Sequence, residues 1–191
     1  MLSRVDAVRP GVPGLDLRTL QRGDQLELTN RSGRVVLVQG YRREPYLRFL
    51  PGGTVQENRR APAAYLNRDR YGTQRIPSGA SPRATPRWVT VARDGRFAWH
   101  DHRIHYMALG TPPQVKDPGR PQKVFDWKVP LRAGRAPVLV TGTLLWTPRG
   151  AGDDAGGSWL VVVVVLGLLA CALVVVMLVR RRRSRRVFEP A

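Results

Sequence analysis

Apolar and polar residues alternate in short runs over residues 1–158, then give way to one unbroken apolar run. In Gln25–Asn30 (QLELTN), Leu26 and Leu28 fall two apart, which puts both on one face of an extended strand. Residues 34–39 (RVVLVQ) are apolar and β-branched. Residues 44–50 (EPYLRFL) form a third run, closed by Pro51-Gly52-Gly53, and residues 54–57 are short enough to be its return strand. Trp88–Ala92, Arg96–His100, 124–129 (VFDWKV) and 137–146 (PVLVTGTLLW) complete the strand-like set. Asn30-Arg31-Ser32-Gly33 and Asp94-Gly95 carry the turn chemistry of hairpins, with Gly placed for a positive φ. No stretch of this region has the period of an amphipathic helix. Short strands punctuated by turn residues predict an all-β fold, an immunoglobulin-like antiparallel β-sandwich over residues 15–149. Trp99, Trp127 and Trp146 lie in or beside strands and are expected to pack in the core or on the sheets.

The unbroken run is residues 159–179, WLVVVVVLGLLACALVVVMLV, 21 residues without a charge. At about 1.5 Å per residue a helix of that length reaches about 31 Å, enough to cross a hydrocarbon core of about 30 Å. Trp159 stands at one end, where an indole favours the headgroup layer. At the other end come Arg180, Arg181, Arg182, Arg183, Arg185 and Arg186, a stop-transfer signal that is costly to move across a bilayer. The sequence therefore predicts one transmembrane helix at 159–179. The Arg-rich tail 180–191 would be cytoplasmic, residues 150–158 a Gly-rich linker, and the β domain would lie outside the plasma membrane. An exterior N-terminal domain needs an export signal, and residues 1–20 hold no apolar stretch of about 7–15 residues. The preferred reading places that signal upstream of residue 1 and takes residues 1–14 as a segment left behind it. The alternative is a cytoplasmic β domain.

Charge and candidate chemistry refine this outline. The chain has 32 Lys+Arg against 14 Asp+Glu, for a net charge of +18. The single cysteine, Cys171, excludes an internal disulfide framework and a cysteine-cluster zinc site. There is no Gly-x-Ser-x-Gly elbow, and the carboxylates mostly stand beside arginines, so the pattern points to binding and not to catalysis. All three histidines fall within residues 99–107, WHDHRIHYM. On an extended backbone His100 and His102 share a face. With His105 after a turn and Met107 as a thioether, they form a candidate copper or zinc site, although Arg103 in their midst opposes a cation. The alternative is that these are ordinary polar residues at a strand end. Residues 58–87 form a long excursion rich in Arg, Pro, Gly and Ser, and loops of that length are functional or mobile. Arg59, Arg60, Arg68, Arg70 and Arg75, with Tyr65 and Tyr71, are its candidate surface for anionic envelope polymers or lipid headgroups. The topology argues against nucleic acid as the partner.

Four stretches resemble an uncharacterised family of bacterial cell-envelope proteins: LELTNRSGRVVLVQGYRREPYLRF (26–49), APAAYLNRDRYG (61–72), RFAWHDHRIHYM (96–107) and VFDWKVPLR (124–132). The resemblance implies an exported β-rich domain followed by a C-terminal membrane helix, and it implies no activity. Together these readings predict a single-pass envelope protein. Its partners would be the bilayer and either anionic polymer or another envelope protein, with metal handling through His100, His102 and His105 as the second reading.

Overall fold

The computed structural model describes residues 1–148, which form one compact unit, Met1–Pro148. The predicted linker 150–158, membrane segment 159–179 and tail 180–191 lie outside the described residues. Within the described residues no helix is long and apolar enough to cross a membrane. The strands in chain order are β1 (Leu2–Arg9), β2 (Leu15–Leu20), β3 (Gln25–Asn30), β4 (Val36–Gln39), β5 (Pro45–Phe49), β6 (Val55–Asn58), β7 (Trp88–Ala92), β8 (Arg96–His100), β9 (Gln122–Ala133) and β10 (Ala136–Trp146). A short 3-10 turn, Gln21–Gly23, and a one-turn helix α1 (Ala63–Leu66) are the helical pieces among the described residues.

Two antiparallel sheets result, one of seven strands in the order β1-β10-β9-β4-β5-β6-β7 and one of three in the order β2-β3-β8. This is consistent with a β-sandwich. The seven-to-three division is unlike the four-and-three layout of the smaller immunoglobulin domains. The long β9–β10 hairpin is the spine of the larger sheet. Its two-residue turn, Gly134-Arg135, has Gly134 at φ +60°, as a type II′ turn requires. The period-2 pattern read from the sequence sets the core. Leu26 pairs with Trp99 and Leu28 with Phe97 across β3 and β8, and both leucines are fully buried. From the other sheet Val36, Val38, Leu47, Phe49, Val129 and Leu131 join the same cluster. Burying each such side chain is worth about 1.5–3 kcal/mol. Trp99 and Trp127 are core residues, and Trp146 packs at the edge with Nε1 donating to the Pro118 carbonyl at 2.9 Å.

Three expectations change. First, β3 and β4 do not pair with each other, and neither do β7 and β8: in each case the two strands lie in different sheets. The turns that read as hairpins are arches that carry the chain between layers. The Asn30 N–H of one arch donates to the Gly95 carbonyl of the other at 2.8 Å, and the Gly95 N–H donates to the Gly53 carbonyl of the β5–β6 turn at 2.7 Å. Second, the β unit begins before residue 15: β1 pairs along β10 from Leu2↔Leu145 to Arg9↔Leu139. Its buried residue is Ser3, whose Oγ accepts from Trp127 Nε1 at 2.8 Å and whose carbonyl accepts from Thr19 at 2.8 Å. Third, β9 runs through Pro130 to Ala133 instead of stopping at Val129. Proline is tolerated there because β4 pairs only with residues 131–133 of β9, so the missing N–H falls beyond that ladder.

Candidate anion groove and the histidine cluster

The excursion 58–87 is fastened at its base. Strands β6 and β7 pair from Val55↔Ala92 to Asn58↔Trp88, so Arg59 and Arg87 must face each other where the loop opens. The Arg59 N–H donates to the Arg87 carbonyl at 2.8 Å. Buried Asn58 locks the junction: its Oδ1 accepts from the N–H groups of Arg60 at 3.0 Å and Arg87 at 2.9 Å, while its Nδ2 donates to the Pro45 carbonyl at 2.7 Å. Further out, the Ser81 N–H donates to the Arg60 carbonyl at 3.0 Å, and the Tyr65 hydroxyl on α1 donates to the Arg59 carbonyl at 2.9 Å. The loop is thus built against its own base by backbone and side-chain hydrogen bonds.

These contacts shape an open groove of about 450 Å³, walled by Arg59, Arg60, Arg87, Tyr65, Pro77 and Val89 among others, with no carboxylate in its lining. Arg59 is partly neutralised from behind by Glu57 at 2.9 Å. Burial pushes the Glu57 carboxyl up from its ordinary range, and the positive charges of Arg59 and Arg68 pull it back. Arg60 and Arg87 have no ion-pair partner among the described residues. Three guanidiniums of fixed, forked geometry suit a phosphate or carboxylate.

Of the five arginines proposed from sequence, Arg59 and Arg60 line this groove and the others do not. Arg68 donates to the Ala64 carbonyl at 3.2 Å and lies 4.8 Å from the Tyr65 ring centroid. Arg70 is ion-paired to Asp24, and Arg75 is exposed. Arg87 was missed. Antiparallel pairing across the loop mouth is the signal that finds it, because whatever precedes β7 must lie opposite whatever follows β6.

The histidines are spread by local geometry. Strand β8 ends at His100, and the chain turns at once, the Ile104 N–H donating to the Asp101 carbonyl at 3.0 Å. The extended backbone that would put His100 and His102 on one face is therefore absent. His100 Nδ1 lies 3.1 Å from the Asp24 carbonyl and its Nε2 lies 3.4 Å from the Gln25 amide. His102 Nε2 lies 2.9 Å from the Asp69 carbonyl, which fixes that nitrogen as the protonated one. His102 and His105 are the nearest pair, edge to face with ring centroids 5.4 Å apart. His105 is buried, with Nδ1 3.5 Å from the Tyr106 carbonyl, while Met107 is partly exposed. Burial, followed by the Arg70 charge, lowers the His100 pKa. The His105 pKa falls to about 4, mainly through burial, with Arg70 and the other two histidines pulling the same way. Both rings are neutral at pH 7, but the nearby arginine charge opposes a cation. Among the described residues no group of three or more His, Cys, Asp or Glu side chains converges to hold a metal ion.

The turn itself is held by a buried ion pair. Asp101 is fully buried and accepts from Arg103 Nε and Nη2, both at 2.7 Å, and from Trp99 Nε1 at 3.0 Å. Arg103 also donates to the Gln39 carbonyl at 3.2 Å, and its guanidinium lies 5.0 Å from the Tyr41 ring. The Tyr41 hydroxyl accepts from the His102 N–H at 3.0 Å and donates to Asn67. The histidine phrase is thus the lining of a polar structural network. No protein-family model, curated protein or solved structure matches the chain.

Proposed function

We propose that this chain is a membrane-tethered, extracytoplasmic binding module of the bacterial envelope, holding an anionic polymer in the groove between Arg59, Arg60 and Arg87. The observation that carries the reading is the groove itself: three arginines, no lining carboxylate, and a loop held in place by Asn58. The apolar run at 159–179 and the arginines that follow it support the tether and its orientation. Binding, not catalysis, is the activity this arrangement serves.

The test uses the Met1–Pro148 unit, which has its own core, with polygalacturonate and poly(glycerol phosphate) as probes. At about 1 kcal/mol per arginine near an anionic surface, R59Q/R60Q/R87Q loses on the order of a hundredfold in affinity. R68Q/R75Q stays within about threefold, because neither residue faces the groove, and binding weakens with salt as phosphate-type contacts do. Equal affinity of the triple variant and the parent for both polymers would sink the groove. Orientation is read separately, from a cytoplasm-only fluorescent reporter or alkaline phosphatase fused after Ala191. Phosphatase activity there would reverse the proposed topology.

A further inference from the structure

A second basic surface lies on another part of the fold, and its lining is more apolar than that of the groove. Strand register sets it out in two rows across β1, β10, β9 and β4. In the first row Arg9 stands opposite Leu139, and Leu139 opposite Pro130. In the second, Pro137 stands opposite Arg132, and Arg132 opposite Leu37. Arg135, in the hairpin turn, closes one end. Together they border a depression of about 510 Å³ whose lining includes Pro10, Pro130, Pro137 and Leu139, three arginines and no carboxylate.

Two features set this patch apart from an ordinary solvated sheet face. Arg9, Arg132 and Arg135 are all exposed, and none forms an ion pair among the described residues; Arg132 donates only to the Arg135 carbonyl, at 3.2 Å. The β2–β3 face offers the contrast, an arginine neutralised across strands: Arg18 on β2 bonds Glu27 on β3 at 2.7 Å, in a pocket that also holds Asp16. In addition, Leu139 remains 36% exposed and nearby Val35 42% exposed, so the arginines ring apolar surface instead of more charge.

We propose that this patch docks on an anionic lipid surface, the three arginines taking lipid phosphates while Leu139 and the prolines meet the first methylenes of the acyl chains. The argument is charge and polarity complementarity: a bilayer interface presents negative charge above hydrocarbon, and this face presents unneutralised arginines around an apolar floor. A purely polar polyanion satisfies the arginines but gains nothing from Leu139. The proposal rests on the membrane-tethered reading only in that the tether would bring the lipid within reach, and vesicle binding by the untethered unit tests it independently.

The experiment is co-sedimentation of Met1–Pro148 with phosphatidylglycerol–phosphatidylcholine vesicles and with pure phosphatidylcholine vesicles, at physiological salt. The unit is expected to sediment with the anionic vesicles and not with the neutral ones. R9Q/R132Q/R135Q loses about a hundredfold in affinity, while the lysine triple variant, with the charges kept, stays within about tenfold. L139D, at an exposed position, lowers vesicle affinity but leaves polygalacturonate affinity unchanged. Near- and far-ultraviolet circular dichroism of each variant must match the parent. Three results would overturn the proposal. In one, vesicle binding survives R9Q/R132Q/R135Q and disappears with R59Q/R60Q/R87Q, which gives the lipid to the groove. In the second, free glycerol phosphate competes with vesicles at equal phosphate concentration, which makes the site one for a soluble phosphate. In the third, poly-glutamate binds as tightly as vesicles with the same arginine dependence, which points to an acidic protein partner. Loss of polymer binding by R59Q/R60Q/R87Q, with vesicle binding intact, would leave both readings standing.

Discussion

Replacing Asp101 by Asn tests the network that holds the 101–106 turn. The Asp101 side chain has no solvent exposure, and the Arg103 side chain is 18% exposed. D101N keeps the volume and leaves one oxygen to accept from Trp99 Nε1. It removes the 2.7 Å Arg103 Nε bond to Oδ1, turns amide hydrogens toward the guanidinium there, and leaves the 2.7 Å Nη2 bond, made to the same oxygen as Trp99, without a negative charge. One lost bond at about 1.5–3 kcal/mol, together with a cation left without its counter-ion, puts the loss at about 3–5 kcal/mol. The remaining donor bond to the Gln39 carbonyl and the stacking on Tyr41 do not offset it, since neither carries a full negative charge. A domain of this size has a stability of about 5–15 kcal/mol, so the change is a large share of the total.

The assay is urea unfolding of Met1–Pro148 followed by tryptophan fluorescence. With a slope of about 2 kcal/mol per molar urea, the D101N midpoint falls by roughly 2 M. R103M should cost a similar amount, because it strands the buried carboxylate with only Trp99 and backbone. The double variant is the decisive arm. With both charges gone, it should be less destabilised than the sum of the singles by about 2 kcal/mol or more. A D101N midpoint within about 0.5 M of the parent, or strict additivity in the double variant, would refute the claim that the pair is desolvated and mutually dependent.

Three further predictions follow from the same structure. The His105 pKa is depressed from 6.5 to about 4 by burial, so the unfolded chain binds the extra proton first as pH falls. Stability should hold above pH about 6.5, decline as pH falls toward about 4, and decline less in H105Q, as read from urea midpoints across that window. N58A removes three hydrogen bonds at the mouth of the 58–87 excursion. It should cost about 2–3 kcal/mol, speed hydrogen exchange at the Arg60 and Arg87 amides, and weaken polymer binding while vesicle binding stays put. Gly142 lies under the Trp127 indole and against the Arg4 carbonyl, where a Cβ has no room. G142A should cost about 2–3 kcal/mol by overpacking, seen as a drop of roughly 6–10 °C in Tm.

The parts of the fold that were legible in the sequence are those decided within one strand. Alternation in QLELTN placed Leu26 and Leu28 inward, and both are fully buried. The parts that were not legible are decided by a partner far along the chain. Strand β1 is hard to read because its most buried residue is Ser3, a polar side chain that suits the interior because Trp127, 124 residues away, donates to it. The two arches read as hairpins for a related reason. A glycine with positive φ serves either turn: Gly33 at +69° and Gly95 at +73° would be at home in a hairpin. What sends β4 away from β3 is the ladder β4 makes with residues 131–133 of β9, nearly a hundred residues downstream.

The candidate sites divide along the same line. The histidines are close in sequence, and His102 and His105 are also close in space, but the strand end at His100 turns the three rings onto different backbone carbonyls. Both arginine surfaces are instead products of pairing. Arg59 and Arg87 meet because β6 and β7 close the mouth of a long loop, and Arg9 joins Arg132 because β1 and β9 flank β10. Sequence counts the positive charges, but only the ladder shows which of them stand together without a carboxylate. In this chain that separates arginines spent on structure, such as Arg18, Arg70 and Arg103, from those still able to hold an anion.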